Sequence, residues 1–170
     1  MAKVSGGVRT YKEGSSTYMK RLAEVIAMRA SGRYSSVEMG TGGGYMAVEK
    51  SNARHKPEEM EAARILADKG YKVILKNEAG GEITIDGYIF KASFEQKTPH
   101  AGGYKNIVKG LEHAKKKEAN IALIYDKYGL HSRHTIEKGL SMFEQLNSYR
   151  FEQVIVISKN GNIHRHKHGV

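Results

Sequence analysis

The chain has 170 residues, a formal charge of +10 and a pI near 9.7, with 28 Lys and Arg against 18 Asp and Glu. It contains no cysteine, which excludes a disulfide framework and a cysteine-ligated zinc site. It contains no apolar run of the ~18 residues that a transmembrane helix needs, and its first residues, MAKVSGGVRTYKEGSS, lack the apolar segment of a secretory signal.

The expectation is one soluble α/β domain with a small appendage, without a membrane partner and acting in the cytoplasm. The cationic surplus points to polyanions, nucleic acid first, through phosphate neutralisation and counterion release.

In chain order, residues 1–15 read as a polar arm. Ser15-Ser16 can cap a helix reaching about Ala30, with Met19, Leu22, Val25, Ile26 and Met28 as its apolar stripe and Gly32 as its stop. In residues 33–50 a TGGG run separates two short alternating segments and reads as a hairpin loop. As a phosphate loop it lacks the Lys-Ser/Thr ending and a following helix. Pro57 to Lys69 (PEEMEAARILADK) is a helix with proline and acids in its first turn and Gly70 at its close.

Tyr71–Leu75 reads as a strand, Asn77–Gly81 as a turn, and Glu82–Ile85 and Tyr88–Lys97 as two more strands. After a loop over Thr98–Gly103 come a basic helix, Lys105–Lys117, and a buried strand, Asn120–Tyr125. A helix from His134 to Ser148 carries Ile136, Leu140, Phe143 and Leu146 on one face. A strand over Phe151–Ser158, a turn and a last strand running into HRHKHG complete the order. Helices alternating with strands after an antiparallel meander imply a mixed central sheet flanked by helices.

The chemistry concentrates in IDGYIFKASFEQKTP. Side chains alternate along a strand, so Glu95 and Lys97 share one face while Phe90, Ala92 and Phe94 take the other, buried one. Asp86 lies in or just before the bend. A divalent cation relieves the repulsion of two neighbouring carboxylates, and Mg²⁺ needs few protein ligands because it keeps several waters. A lysine beside them can orient water and balance charge. The alternatives are an exposed Glu95–Lys97 ion pair and an Asp86-Gly87 type I′ turn.

Asp86, eight intervening residues and then Glu95-Gln96-Lys97 resemble the PD-(D/E)XK, or restriction-endonuclease-like, nuclease superfamily. The preceding HKPEEMEAARILADKGYKVIL is similar to the opening of the C-terminal tRNase toxin domains of contact-dependent growth inhibition proteins. The resemblance spans roughly residues 55–165. It implies a restriction-endonuclease-like core over residues 55–170, preceded by an arm, helix and short hairpin over 1–54. It implies metal-dependent hydrolysis of RNA, tRNA included, or DNA, with Mg²⁺ or Mn²⁺ as cofactor. Glu95 would be the central metal ligand, Asp86 the second, Lys97 the catalytic lysine and Glu59 the inward helix glutamate. His113 would contact substrate. A toxin of this kind implies an acidic immunity protein and delivery into a target-cell cytoplasm; a phage or mobile-element effector is the other setting.

The basic helix supplies Lys105, Lys109 and Lys116 as phosphate contacts, with Arg133 further on. Tyr34, Tyr45 and Tyr104 can stack on bases or pack. His164, His166 and His168 alternate along one face and read as a solvated basic tail without ligands to complete a zinc site. Two rival functions remain. One is a non-catalytic basic nucleic-acid-binding module. The other is a metal-independent ribonuclease using His100, His131 and Lys97.

Overall fold

The computed structural model describes residues 8–50, 55–77 and 84–167, which form four helices and eight strands in an α/β arrangement. No helix among these residues is long and apolar enough to cross a membrane. The chain folds as two compact units, one of residues 1–82 and 86–91, the other of residues 83–85 and 92–170. The boundary expected near residue 54 falls on residues 51–54, outside the described ones.

In the first unit, α1 runs over Ser16–Ser31, capped by the Ser15 hydroxyl accepting from the Tyr18 amide and stopped by Gly32 at φ 74°. Its apolar stripe is narrower than expected: Val25 is buried, whereas Met19 and Ile26 are about half exposed. Two arginines anchor the helix instead. Arg21 donates to the carbonyls of Gly43 and Gly70, and Arg29 to that of Val37.

Strand β1 (Tyr34–Met39) pairs antiparallel with β2 (Tyr45–Glu49) across the TGGG loop. Helix α2 (Pro57–Asp68) then crosses over to β3 (Lys72–Leu75), which lies parallel to β2. β3 also pairs antiparallel with β4 (Gly87–Ile89). The glycines of the loop have a packing reason. A Cβ on Gly40 would lie 2.2 Å from the main chain of Ala67, one on Gly42 2.1 Å from the Asp68 carbonyl oxygen, and one on Gly44 2.2 Å from the Tyr71 carbonyl oxygen. The loop is pressed against the end of α2, to which Gly44 and Thr41 donate amide hydrogen bonds.

The hairpin segment differs from the expected pattern. The expected strand at Glu82–Ile85 lies partly outside the described residues, and Thr84 and Ile85 are not in a strand. The expected strand Tyr88–Lys97 is broken by a turn at Phe90-Lys91, where both residues have positive φ (47° and 77°). That turn, and not Asp86-Gly87, has the φ signature of type I′. Gly87 belongs to β4 and pairs with Leu75. Phe90 is therefore not on a buried strand face: it is 40% exposed, and the Arg21 guanidinium lies 5.7 Å from its ring centre. A non-glycine residue in the left-handed region costs about 1–2 kcal/mol. Lys91→Gly is accordingly expected to raise the unfolding free energy by about 1 kcal/mol, measured by denaturant titration.

In the second unit, β5 (Ala92–Lys97) is parallel to β6 (Ile121–Tyr125), which is parallel to β7 (Gln153–Ile157). The last strand, β8 (Ile163–Lys167), returns antiparallel to β7. Helices α3 (Tyr104–Lys116) and α4 (Arg133–Leu146) provide the crossovers. β6 is buried at every position, as expected for a strand with neighbours on both sides. Ile107, Leu111, Phe143, Phe151, Val154 and Val156 belong to its core cluster. Gly139 allows α4 close to α3, since a Cβ there would lie 2.6 Å from the Ile107 side chain. Leu146, expected on the apolar face of α4, is 64% exposed, at the last residue of the helix.

Candidate functional site

Glu95 sits in the middle of β5, opposite Ala122 of β6, and is 4% exposed. A carboxylate so placed needs charge compensation. Two side chains of α3 and its C-cap supply partners: His113 Nε2 and the Lys117 ammonium each lie 3.0 Å from Glu95 Oε2. They are four residues apart, hence on one face of the helix. The other oxygen, Oε1, is buried and accepts no hydrogen bond among the described residues.

Lys97 turns to the same helix, because alternation puts it on the Glu95 face. A Cβ on Gly110 would lie 3.1 Å from Lys97 Cγ, so the aliphatic stem lies over that glycine. Lys97 is exposed, and the lysine that reaches the buried carboxylate is Lys117. Reading the sequence missed this residue. Its signal was the i, i+4 spacing from His113, at a helix end whose dipole favours cations.

Glu59 and Asp86 belong to the first unit. Glu59 shares a buried stripe with Ala63, Leu66 and Ala67 and is 8% exposed, whereas Glu61 is exposed. Its Oε1 accepts from the Lys56 amide and lies 2.9 Å from His55 Nδ1, so it also caps α2. Asp86 is 4% exposed, and its main-chain carbonyl accepts from the Lys76 amide.

Among the residues expected to contact nucleic acid, Lys105, Lys109 and Lys116 are exposed along α3. His113 is split between roles, half exposed yet bonded to Glu95. Arg133 opens α4, where its Nε lies 3.5 Å from Glu137. Tyr45 is a core residue, 6% exposed, with its phenol pushed up to about 12 by burial and then by the Glu24 charge. The Tyr104 ring is covered by Lys138 Nζ at 4.3 Å.

Among the described residues no group of three or more His, Cys, Asp or Glu is arranged to hold a metal ion. A metal wanting a full protein cage therefore has no home there. What Glu95 offers is one buried oxygen, Oε1, with no hydrogen-bond partner among the described residues.

No family model matches the chain, and no curated protein does. Among solved structures, a chain of the "CdiA-CT/CdiI toxin and immunity complex from Burkholderia pseudomallei" is similar, with a TM-score of 0.56 and 23% identity. The likeness covers 71% of this chain and 98% of that one, and it establishes a shared fold.

Proposed function

We propose that this protein is a metal-dependent nuclease of the toxin type, centred on Glu95. The observation that carries the proposal is the buried carboxylate with one oxygen held by Lys117 and His113 and the other bare. An arrangement built only for stability would engage both oxygens, since an unmet buried acceptor costs about 1–3 kcal/mol.

Glu95 would hold Mg²⁺ or Mn²⁺ through Oε1, and a cation bound there supplies positive charge to phosphate oxygens and acidifies its water. Lys117 and His113 fix the carboxylate in place and offset its charge. Lys97, anchored by its stem on Gly110 with its ammonium exposed, orients the attacking water and balances charge as the P–O bond breaks and the leaving oxygen takes a proton. Asp86 and Glu59 are further acids assigned to the reaction by the sequence resemblance. Lys105, Lys109 and Lys116 bind the backbone of RNA, tRNA included, or DNA. The neighbour's membership of a toxin and immunity complex and the +10 charge favour an acidic protein partner and action in a target-cell cytoplasm.

The test is cleavage of labelled tRNA, plasmid and single-stranded DNA with Mg²⁺ or EDTA, comparing wild type with Lys97→Ala and Asp86→Ala. Cleavage that needs metal and is lost in both variants is the expected result. Cleavage surviving EDTA would transfer the chemistry to histidines. Tight, salt-sensitive binding without cleavage would make the protein a binding module.

A further inference from the structure

A second polar centre lies within the second unit. Asp126, just after β6, is 3% exposed and well satisfied: Oδ1 accepts from the Leu130 amide and from His131 Nδ1, and Oδ2 from the His131 amide, each at 3.1 Å. A carboxylate only accepts, so Nδ1 carries the proton and the ring is locked with Nε2 pointing away. The His131 side chain is 0% exposed, and Nε2 has no hydrogen-bond partner among the described residues. It lines a pocket of about 90 Å³, several times the ~15 Å³ that a single water needs.

The rest of the lining is mostly cationic or neutral. Arg133 at the start of α4 brings a permanent charge beside the positive end of the helix dipole. His164 and His166 enter from β8, where alternation gives them one face. Burial lowers the pKa of His166, helped by Arg133 and His164 and opposed by Glu137, so at neutral pH it serves as an uncharged partner. The Ser158 hydroxyl accepts from the Asn162 amide and keeps its own hydrogen to donate. Ile136 and Val156 provide apolar wall. The acid in the pocket, Asp126, has both oxygens engaged by amides or imidazole, which offsets much of its charge. The acid beside Arg133, Glu137, is in an exposed pair of the kind worth little.

We infer that this pocket binds a phosphate group, with His131 Nε2 at its floor and Arg133 and His164 at its mouth. Phosphate suits a locked imidazole in either protonation state. It accepts from an Nε2–H, and in its monohydrogen form it donates to a bare Nε2, which sulfate and chloride cannot do. A phosphate monoester at the end of a nucleic-acid strand and free inorganic phosphate share this chemistry. The site is independent of Glu95 and stands whether or not the chain cleaves nucleic acid.

The experiment is a titration of the full chain with inorganic phosphate at constant ionic strength, followed through the histidine ring nitrogens by NMR. The expected result is a saturating shift of His131 Nε2 with a Kd of ~1 mM or tighter, weakened about tenfold in Arg133→Gln and in His164→Gln. Both positions are exposed, so the variants should fold. An oligonucleotide with a 5′-phosphate that displaces phosphate better than its unphosphorylated form would identify a strand end as the source. Displacement by neither oligonucleotide would identify free phosphate. A response that does not saturate, that chloride reproduces, or that both variants retain overturns the inference and leaves the pocket to water.

Discussion

Glu95→Gln should lose cleavage by about 10²–10³-fold while the protein becomes no less stable. The amide keeps the side chain's shape but removes the charge that would hold a cation and through it the phosphate; single preorganised electrostatic contacts in excluded sites are worth about 2.7–4 kcal/mol in the transition state. Stability should move the other way or not at all. Glu95 is 4% exposed, and burying an ion costs more than burying an amide. Its partners Lys117 and His113 keep 23% and 45% side-chain exposure, so water can replace the lost carboxylate. A gain of up to about 1 kcal/mol is expected by chemical denaturation. Lys117→Met should do the reverse, leaving the buried charge with His113 alone and destabilising the fold. Retained activity in Glu95→Gln, with the loss appearing only as instability, would make Glu95 a structural anchor and remove it from the chemistry.

The second large effect lies in the first unit. Gly44→Ala should cost about 3 kcal/mol and lower Tm by roughly 6–12 °C. The added methyl would sit 2.2 Å from the Tyr71 carbonyl oxygen and 2.5 Å from that of Ala67, both main-chain atoms. Neither can swing aside as a side chain does. The Gly44 amide also donates to Ala67 and the Tyr45 amide to Tyr71, so any relief would break hydrogen bonds that join the loop and β2 to α2 and its exit. A phosphate-cradling loop predicts another outcome, an intact melt with weakened anion binding. A thermal melt of the single variant separates the two.

The alternation of polar and apolar residues made most elements readable. α2 announced itself through Pro57, its first-turn acids and Gly70, and β6 through an unbroken apolar run between polar ends. Alternation also placed Glu95 and Lys97 on one face correctly, since both meet α3. Where it failed, the cause was a competing local term. Phe90 and Lys91 carry no turn chemistry, and their left-handed backbone is imposed by the context around them, so the sequence reads straight through the bend. Met19 and Ile26 look like core on a helical wheel, yet α1 is held by arginine-to-carbonyl bonds that no hydrophobic period reports.

The sequence by itself determined the element order, the charge and the short list of acids and cations, because period, caps and composition are local properties of a chain. Only the tertiary structure decided which cation meets which acid. Lys117 is distant from Glu95 in sequence and reaches it because the crossover lays α3 over β5. It also decided that His131 is locked by Asp126 in a pocket that β8 helps to line, and that a glycine run typical of ligand loops serves the packing of a helix end. Desolvation and direct contact select among candidate residues, and both exist only once distant segments are packed together.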